Sequence, residues 1–352
     1  MLLALLLLPL LGACSEVAYY WQAGLGQWEI LNKRRPIAEV LADPAVDAEV
    51  KRKLRLIEAV QAFATERLAL PGDGHYTTYA DLGRPTVTWL VVAAPALSLE
   101  AHRFCYLLVG CLDYRGYFAR ADAEALAERL RGEGLDALVR PVRAYSTLGW
   151  FDDPVLNTFL AGDDTQLMGT IIHEQAHRRY FLKGDTDFNE SFAEFVAGEG
   201  LRRYLSQPGQ HPARMAHFEA LRAEERRFLA IVLRGRSRLA ALYAAPLPEA
   251  DKRAHKPALF EALRQDYQKE RASFTLLNYD GWFAQPLNNA HLAGVTQYAR
   301  RVAAFRALFR EHGQDFARFY AAVEALGELP ADRREARLNE LEQKVVARSD
   351  GP

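Results

Sequence analysis

The residues with the clearest capacity for chemistry lie in the segment 171–177, which reads IIHEQAH. On a helix, His173 and His177 stand one turn apart on the same face, with Cβ atoms about 6 Å apart. Two imidazoles in that position can bind one Zn²⁺ at about 2.0–2.1 Å each. Glu174 lies at the edge of this face, where it can take a proton from a water that the metal activates. The pattern alone also fits a solvent-facing helix with two incidental histidines.

A second pair of polar residues at helical spacing follows after a tight turn. Residues 187–194 read DFNESFAE and open a second predicted helix, in which Glu190 and Glu194 are again four apart. A short antiparallel helix pair would place Glu190 opposite the two histidines as the third metal ligand. Glu194 would then accept a hydrogen bond from the other ring nitrogen of a ligating histidine, which orients the imidazole and raises its basicity. The combination favours one Zn²⁺ bound by His173, His177 and Glu190.

The elements that must position these residues differ between the two halves of the chain. Hydrophobic spacing predicts helices over 36–70 and 121–133 and strands over 86–94, 106–109 and 137–145. Beyond residue 164 the predicted helices span 164–180, 188–206, 211–243, 250–272, 288–311 and 313–326, before a charged tail from 330. We therefore expect an α+β fold, with a small mixed sheet in the N-terminal half and a predominantly helical C-terminal half.

Three regions follow from this reading. They are a signal peptide over 1–13, an N-terminal helix and mixed α/β region over 14–160, and a helical region over 161–352 that carries the zinc site. The metal site would lie between the sheet and the helices.

Composition narrows the class of protein. The 352 residues include 44 Lys plus Arg against 45 Asp plus Glu, a formal net charge of −1 at pH 7. This balance argues against a nucleic-acid partner, because phosphate binding needs a surplus of cations. Half of the residues are hydrophobic and a quarter are charged, which excludes disordered and fibrous classes.

The N-terminus has the pattern of an export signal. Residues 1–11, MLLALLLLPLL, are apolar but too short to span a bilayer, as in a signal-peptide core. They lead into the sequence LGAC, ending at Cys14, which resembles the lipobox in which a bacterial lipoprotein is lipidated. We expect a tether at Cys14 in the cell envelope, and Ser15 after it favours the outer membrane. No Lys or Arg precedes Lys33, so an ordinary signal peptide or a buried N-terminal helix remains the alternative.

Two further cysteines, Cys105 and Cys111, lie in the strand-like sequence FCYLLVGC over 104–111. In an oxidising periplasm they can form a disulfide, and two buried reduced thiols are the alternative.

These motifs together resemble known metallopeptidases. HExxH followed by NExxxE on the next helix resembles the gluzincins, whose zinc ligands are His, His and Glu. More closely, the chain is similar to a bacterial lipoprotein family described as zinc aminopeptidases, a label that itself derives largely from motif. Besides HEQAH, the shared stretches are GCLDYRGYF (110–118), AYSTLGWFDDP (144–154), FNESFA (188–193) and LNNAHL (287–292). The resemblance implies a gluzincin-like core with ligands His173, His177 and Glu190 and with Glu174 as general base.

In gluzincins the edge strand ahead of the metal helix pairs with the backbone of the substrate, as in strand addition. The corresponding segment here is VRAYSTLGWF over 142–151, and its candidates are Tyr145, Ser146, Thr147, Gly149 and Trp150. A strand or loop used for packing explains them equally well.

An oxyanion also needs a donor, and a Tyr or His commonly assists the metal. Tyr279, in the irregular loop NYDGWF, and His291, in NNAH, are candidates, and a buried aromatic loop with a helix cap is the alternative.

We therefore expect a zinc-dependent peptidase, an aminopeptidase by resemblance, in which Glu174 passes a proton from the attacking water to the leaving amine. The GxMEN segment by which the best-known gluzincin aminopeptidases hold a free substrate amine is absent. The alternatives are an endopeptidase or amidase of the cell envelope with the same site, a non-catalytic metal-binding lipoprotein, and a structural lipoprotein that binds no metal. The expected partners are a peptide substrate and, through Cys14, a membrane.

Overall fold

The computed structural model describes residues 2–72, 74–106, 110–143, 152–296 and 301–349. It confirms the predicted α+β class, with small sheets in the N-terminal half and helices in the C-terminal half. The strands are β1 (Arg34–Pro36), β2 (Thr78–Ala80), β3 (Thr88–Pro95), β4 (Phe104–Tyr106), β5 (Gly110–Leu112), β6 (Arg115–Tyr117), β7 (Leu135–Val142) and β8 (Val155–Leu156).

The helices of the described residues are α1 (Leu2–Asn32), α2 (Ile37–Ala42), α3 (Ala48–Leu68), α4 (Arg120–Gly132), α5 (Asp164–Arg179), α6 (Thr186–Leu205), α7 (Pro212–Ala244), α8 (Glu249–Glu270), α9 (Asp280–Phe283), α10 (Asn289–Thr296), α11 (Val302–Glu311), α12 (Phe316–Gly327) and α13 (Ala331–Ser349). Among them, none is long and apolar enough to cross a membrane.

The largest sheet is antiparallel, in the order β6-β3-β7, with Val91 of β3 opposite Val139 of β7. Side chains of β3 alternate between two buried faces: Val91 and Ala93 pack on α4, whereas Val92 packs on α10. Burial on both faces explains why β3 reads as a continuous apolar run rather than an alternating one. The mixed sheet β1-β2-β8 and the hairpin β4-β5 are separate from it.

The main core lies in the helical half and draws buried residues from α3, α5, α6, α11 and α12. Aromatic rings fill its centre, where Phe192 of α6 contacts both Phe305 of α11 and Phe319 of α12. The same cluster includes Ile30 and Ile57, which lie before residue 160. This core holds α5 and α6 side by side, and these two helices carry the predicted metal ligands. The division of the chain at residue 160 stays a prediction.

The first helix is longer than any segment predicted for this region. It continues from the apolar N-terminal run to Asn32 and packs on β6, where the Arg115 guanidinium lies 3.8 Å from the centre of the Tyr19 ring. Gly26 permits this approach, because a Cβ there would lie 2.2 Å from atoms of the Phe118 ring.

Three predicted boundaries need correction. The predicted helix over 36–70 is two helices, because Asp43 accepts a hydrogen bond from the Ala45 amide and Asp47 caps the start of α3. The predicted helix over 288–311 is also two, α10 and α11. At the start of α11 the Arg301 amide donates to Ser191 Oγ of α6, outside the helical pattern. The charged tail is an amphipathic helix, α13, whose Leu338 and Leu341 are buried in the main core.

Candidate metal centre

Helix α5 carries the two histidines. It begins at Asp163, whose side chain accepts a hydrogen bond from the Gln166 amide at 2.8 Å. Its inner face, which includes Ile171 and Ile172, is fully buried in the main core. This packing leaves His173 and His177 one turn apart, with their Nε2 atoms 3.0 Å from each other.

The turn between α5 and α6 is fixed by polar contacts that the sequence supplies locally. The Asn189 amide donates to the Leu182 carbonyl and accepts from the Leu182 N–H, both at 2.8 Å. Gly184 adopts a φ of +83°, which a side chain would disfavour, and Asp185 caps α6 by accepting from the Phe188 amide. The chain therefore reverses within a few residues and α6 returns alongside α5.

This reversal brings Glu190 opposite the two histidines. Its Oε2 lies 3.4 Å from His173 Nε2 and its Oε1 lies 3.7 Å from His177 Nε2. The three side chains are largely shielded, with exposed fractions of 14 % for His173, 6 % for His177 and 12 % for Glu190. The predicted ligand set is thus assembled in one place, and these residues could hold a metal ion.

The spacing of the candidate ligand atoms can be compared with the spacing around one tetrahedral ion. Ligands at about 2.0–2.1 Å from a tetrahedral centre lie about 3.3–3.4 Å from one another. The two histidine Nε2 atoms are 3.0 Å apart, and each faces a different oxygen of Glu190, at 3.4 Å for His173 and 3.7 Å for His177. One ligand atom from each of the three residues can be chosen so that all lie within 4.8 Å of one another. Two imidazole nitrogens and one carboxylate oxygen form a donor set typical of catalytic zinc sites. Because of their proximity these residues could hold a metal ion, and their donor types fit Zn²⁺.

The charges of the cluster are strongly coupled. Burial opposes the charged form of His173, but the hydrogen bond to Glu190 and the charge of nearby carboxylates outweigh it and raise its pKa to about 9. Burial also disfavours a charged Glu190, yet the facing histidines hold the pKa of this carboxyl well below its usual range. Glu174 differs, because burial raises its pKa although the histidines oppose the shift. A carboxylate with a raised pKa is a better proton acceptor near neutrality.

Glu194 lies one turn beyond Glu190, as the sequence predicts. Its Oε2 is 3.9 Å from His173 Nδ1, within ion-pair distance though longer than a hydrogen bond. Its other oxygen accepts a short hydrogen bond from Arg222 of α7, and Arg222 also donates to Glu225 at 3.0 Å. The Glu194 carboxylate is therefore held beside the metal ligand by a partner from another helix.

Two residues near the site have no signal in the sequence. Arg222 pairs with Glu194 across 28 residues, so no local pattern indicates the contact. Tyr76 is only 1 % exposed and adopts a φ of +56°, which is unusual for a tyrosine. Among the described residues its hydroxyl has no hydrogen-bond partner, and its pKa is raised by burial and by the nearby charge of Glu174.

The cluster lines a cavity of about 1120 Å³, large enough for a short peptide. Helices α5 and α6 form one wall and α7 another, while Tyr19 of α1, Leu90 of β3 and Tyr106 of β4 come from the N-terminal half. The predicted position of the site between the sheet and the helices agrees with this lining. Both halves of the chain therefore contribute to the space in which a substrate would lie.

The two oxyanion candidates have different surroundings. Tyr279 lines the cavity, with its ring stacked 3.9 Å from that of Phe228. His291 is buried, contacts Asn288 Oδ1 at 2.9 Å through Nδ1, and does not belong to the described residues that line the cavity. Burial lowers the pKa of His291 to about 4. A catalytic role stays a prediction for both residues.

The other residues singled out in the sequence are the two disulfide cysteines, the substrate segment and Cys14. A disulfide joins Cys105 and Cys111, which face each other in the β4-β5 hairpin. Residues 144–151 of the predicted substrate segment lie outside the described residues, and with them all five of its candidates, Tyr145, Ser146, Thr147, Gly149 and Trp150. The side chain of Cys14 also lies outside the described part of the chain.

Fold and site together define an α+β protein with a candidate His-His-Glu metal centre at the wall of a large cavity. The sequence model of the family described as "Putative aminopeptidase" matches residues 18–338. Because this match covers most of the chain, the protein belongs to that family, and membership supports a peptidase. No curated protein and no solved structure is significantly similar to the chain.

Proposed function

We propose that this protein is a zinc-dependent peptidase, an aminopeptidase by family, that hydrolyses peptide bonds at the His173–His177–Glu190 cluster. The observation that carries the proposal is the convergence of one ligand atom from each of these three residues, all within 4.8 Å of one another, on a cavity large enough for a peptide. The order of the ligands, HExxH and then a glutamate on the next helix, is that of the gluzincins.

When bound, Zn²⁺ acts as a Lewis acid that polarises a carbonyl and acidifies water. Glu174 accepts a proton from the attacking water at its carboxylate and returns it to the nitrogen of the leaving amine as the C–N bond breaks. Burial raises the pKa of Glu174, and a raised pKa suits this transfer because it favours acceptance of the proton from water. The role of Glu194 is to hold His173 in a ligating orientation.

We also propose that a lipid on Cys14 holds the protein at the cell envelope, most simply at the outer membrane because Ser15 follows. The first turns after Cys14 support this proposal. In α1, Val17, Trp21 and Trp28 are 64–70 % exposed and Leu25 is 51 % exposed. Their spacing puts them on one face of the helix, and tryptophan favours the boundary between a bilayer and water.

The test of the catalytic proposal compares Glu174→Gln with the wild type. We expect the variant to keep one equivalent of zinc and to lose peptide hydrolysis by roughly 10²–10⁴-fold, because only the proton acceptor is removed. Glu219→Gln, an exposed acid on α7, is the matched control and should behave as the wild type. Unchanged hydrolysis by Glu174→Gln would exclude Glu174 as the base.

A second comparison separates an aminopeptidase from an endopeptidase or amidase. A set of peptides with free and acetylated N-termini is incubated with the zinc-loaded protein, and the products are identified by mass spectrometry. An aminopeptidase releases the first residue of the free peptides only. Equal rates on both sets would contradict that reading, and no hydrolysis of any peptide would contradict the peptidase proposal.

A further inference from the structure

Three arginines line the cavity beside the metal cluster. Arg222 and Arg226 lie one turn apart on α7, and Arg306 approaches from α11. All three side chains line the same cavity as Glu190 and Glu194. The cavity therefore has, next to the carboxylates of the metal cluster, a cationic region formed by these three arginines.

The three arginines differ in their partners. Arg222 is paired with Glu194 and with Glu225, so its charge is balanced inside the protein. Arg226 and Arg306 are exposed, and within the described part of the chain neither makes a hydrogen bond or an ion pair. Two guanidinium groups therefore face the cavity with their donors free.

Their mutual placement is electrostatically unfavourable without an anion. Arg306 is open to solvent on one side, but the protein around its guanidinium removes part of its hydration and lowers its pKa. The positive charge of Arg310, Arg222 and Arg226 lowers this pKa further, and the Glu199 carboxylate opposes the shift. An arginine does not lose its proton in this range, and the carboxylates that act on Arg226 and Arg306, Glu225 and Glu199, form no ion pair with them within the described ranges, so the repulsion is only partly offset. A carboxylate placed between Arg226 and Arg306 would relieve it.

This cationic region is connected to the metal cluster through one side chain. Arg222 contacts Glu194, which lies 3.9 Å from His173. Gly198, one turn beyond Glu194, makes room for it, since a Cβ there would lie 3.3 Å from Arg222 Nη2. The unpaired arginines are therefore neighbours of the groups that support the metal ligands.

We propose that Arg226 and Arg306 form a subsite that binds a carboxylate of the peptide substrate. The inference rests on the proposed function and names its substrate class, which is anionic peptides. The two arginines would hold a carboxylate of the peptide while one of its peptide bonds reaches the metal cluster. The planar fork of an arginine matches a carboxylate with two parallel hydrogen bonds. The carboxylate comes either from the C-terminus of a short peptide or from an acidic side chain.

The test measures binding, so it does not depend on turnover. Zinc-loaded full-length Glu174→Gln protein is titrated calorimetrically with two matched pairs of peptides. The first pair is trialanine and trialanine amide, which differ only in the C-terminal carboxylate. The second pair is alanyl-aspartyl-alanine amide and alanyl-asparaginyl-alanine amide, which differ only in the side chain. We expect the carboxylate member of at least one pair to bind roughly 10- to 100-fold more tightly, as for hydrogen bonds to charged groups.

Variants added to the same protein assign the effect. Arg226→Gln/Arg306→Gln should bring the affinity ratio within about twofold of one. The matched control is Arg227→Gln/Arg310→Gln, which removes two positive charges from the same helices and should keep the affinity ratio. Neither of these arginines is among the described residues that line the cavity, and Arg227 donates to the Ser273 carbonyl. If the glutamine variant does not fold, Arg226→Lys/Arg306→Lys replaces it and should reduce the ratio at least threefold.

The source of the carboxylate follows from which pair responds. A response of the first pair alone identifies the C-terminus, and a response of the second identifies an acidic side chain. A wild-type ratio near one in both pairs, or a ratio that survives in the glutamine variant, overturns the proposal. Hydrolysis of the same peptides by wild-type protein is measured separately, so that a missing peptidase activity is distinguished from a missing subsite.

Discussion

The contact between Glu194 and His173 makes a quantitative prediction about metal affinity. Glu194→Gln keeps the size of the side chain and removes its negative charge, 3.9 Å from His173 Nδ1. At that distance and an effective dielectric constant of about 20, a full positive charge would interact with the carboxylate by about 4 kcal/mol. A ligating imidazole is neutral and carries only part of the charge of the ion, so the contribution of Glu194 is smaller than this value. The 10- to 100-fold range usual for such supporting residues corresponds to about 1.4–2.7 kcal/mol.

The assay is a competition between the protein and a chromogenic zinc chelator at pH 7.5, followed by absorbance. Glu199→Gln is the matched control, because Glu199 lies on the same helix but pairs with Arg202 and Arg203. We expect the zinc dissociation constant to rise 10- to 100-fold for Glu194→Gln and less than twofold for Glu199→Gln. A change below twofold in Glu194→Gln, or an equal change in both variants, would refute the supporting role.

Three other predictions concern the environment of the site. Burial lowers the pKa of His291 to about 4 from about 6.5 in the unfolded chain, so the unfolded state binds more protons between these values. The contribution of neutral His291 to the free energy of unfolding is fully present above pH 6.5 and is lost as the pH falls towards 4, by up to about 3 kcal/mol. Urea unfolding at several pH values measures this dependence, and His291→Asn should flatten it. An unchanged slope in the variant would contradict the prediction. Gly169→Ala, whose Cβ would lie 3.8 Å from Leu201, should raise the free energy of unfolding by roughly 0.5–1 kcal/mol because alanine favours the helix. Gly198→Ala should raise it less, because its Cβ would lie only 3.3 Å from Arg222 Nη2. Thermal denaturation compares the two variants, and an equal gain in unfolding free energy would show that the Arg222 side chain moves aside without cost. Trp21→Ser/Trp28→Ser should lower co-sedimentation of the full-length protein with anionic phospholipid vesicles several-fold; undiminished binding would exclude this face as a membrane contact.

The metal ligands could be predicted because their arrangement is local. Residues four apart on a helix share a face, and a tight turn leaves little freedom for the helix that follows. His173, His177 and Glu190 depend only on these two facts and on the capping of α6 by Asp185. Glu194 could be predicted to lie beside His173 for the same reason, because it is one turn beyond Glu190 on the same helix.

Contacts between distant segments had no such signal. The pairing of Glu194 with Arg222 depends on how α7 crosses α6, and no periodicity in either helix specifies a crossing. Tyr76 lies in a turn where its backbone N–H donates to the carbonyl of Asp153, 77 residues further along the chain. Strands β1, β2 and β8 have two or three residues each, which is too short for an alternating pattern.

The helix boundaries failed where local hydrogen bonds compete with hydrophobic spacing. The apolar residues on both sides of Asp43 continue the helical period, but its carboxylate bonds the following backbone and interrupts the helix. Near Arg301 the competing partner is Ser191 from another helix, so the interruption could not be seen in the sequence of 288–311.

The central claim is that one metal ion is bound by His173, His177 and Glu190. An anomalous difference map from crystals of zinc-loaded protein, measured on both sides of the zinc absorption edge, tests it most directly. We expect one peak per chain, about 2.0–2.1 Å from both histidine Nε2 atoms and within about 2.0–2.2 Å of a Glu190 oxygen, that disappears below the edge. The absence of a peak there, or a peak that excludes Glu190, would contradict the account.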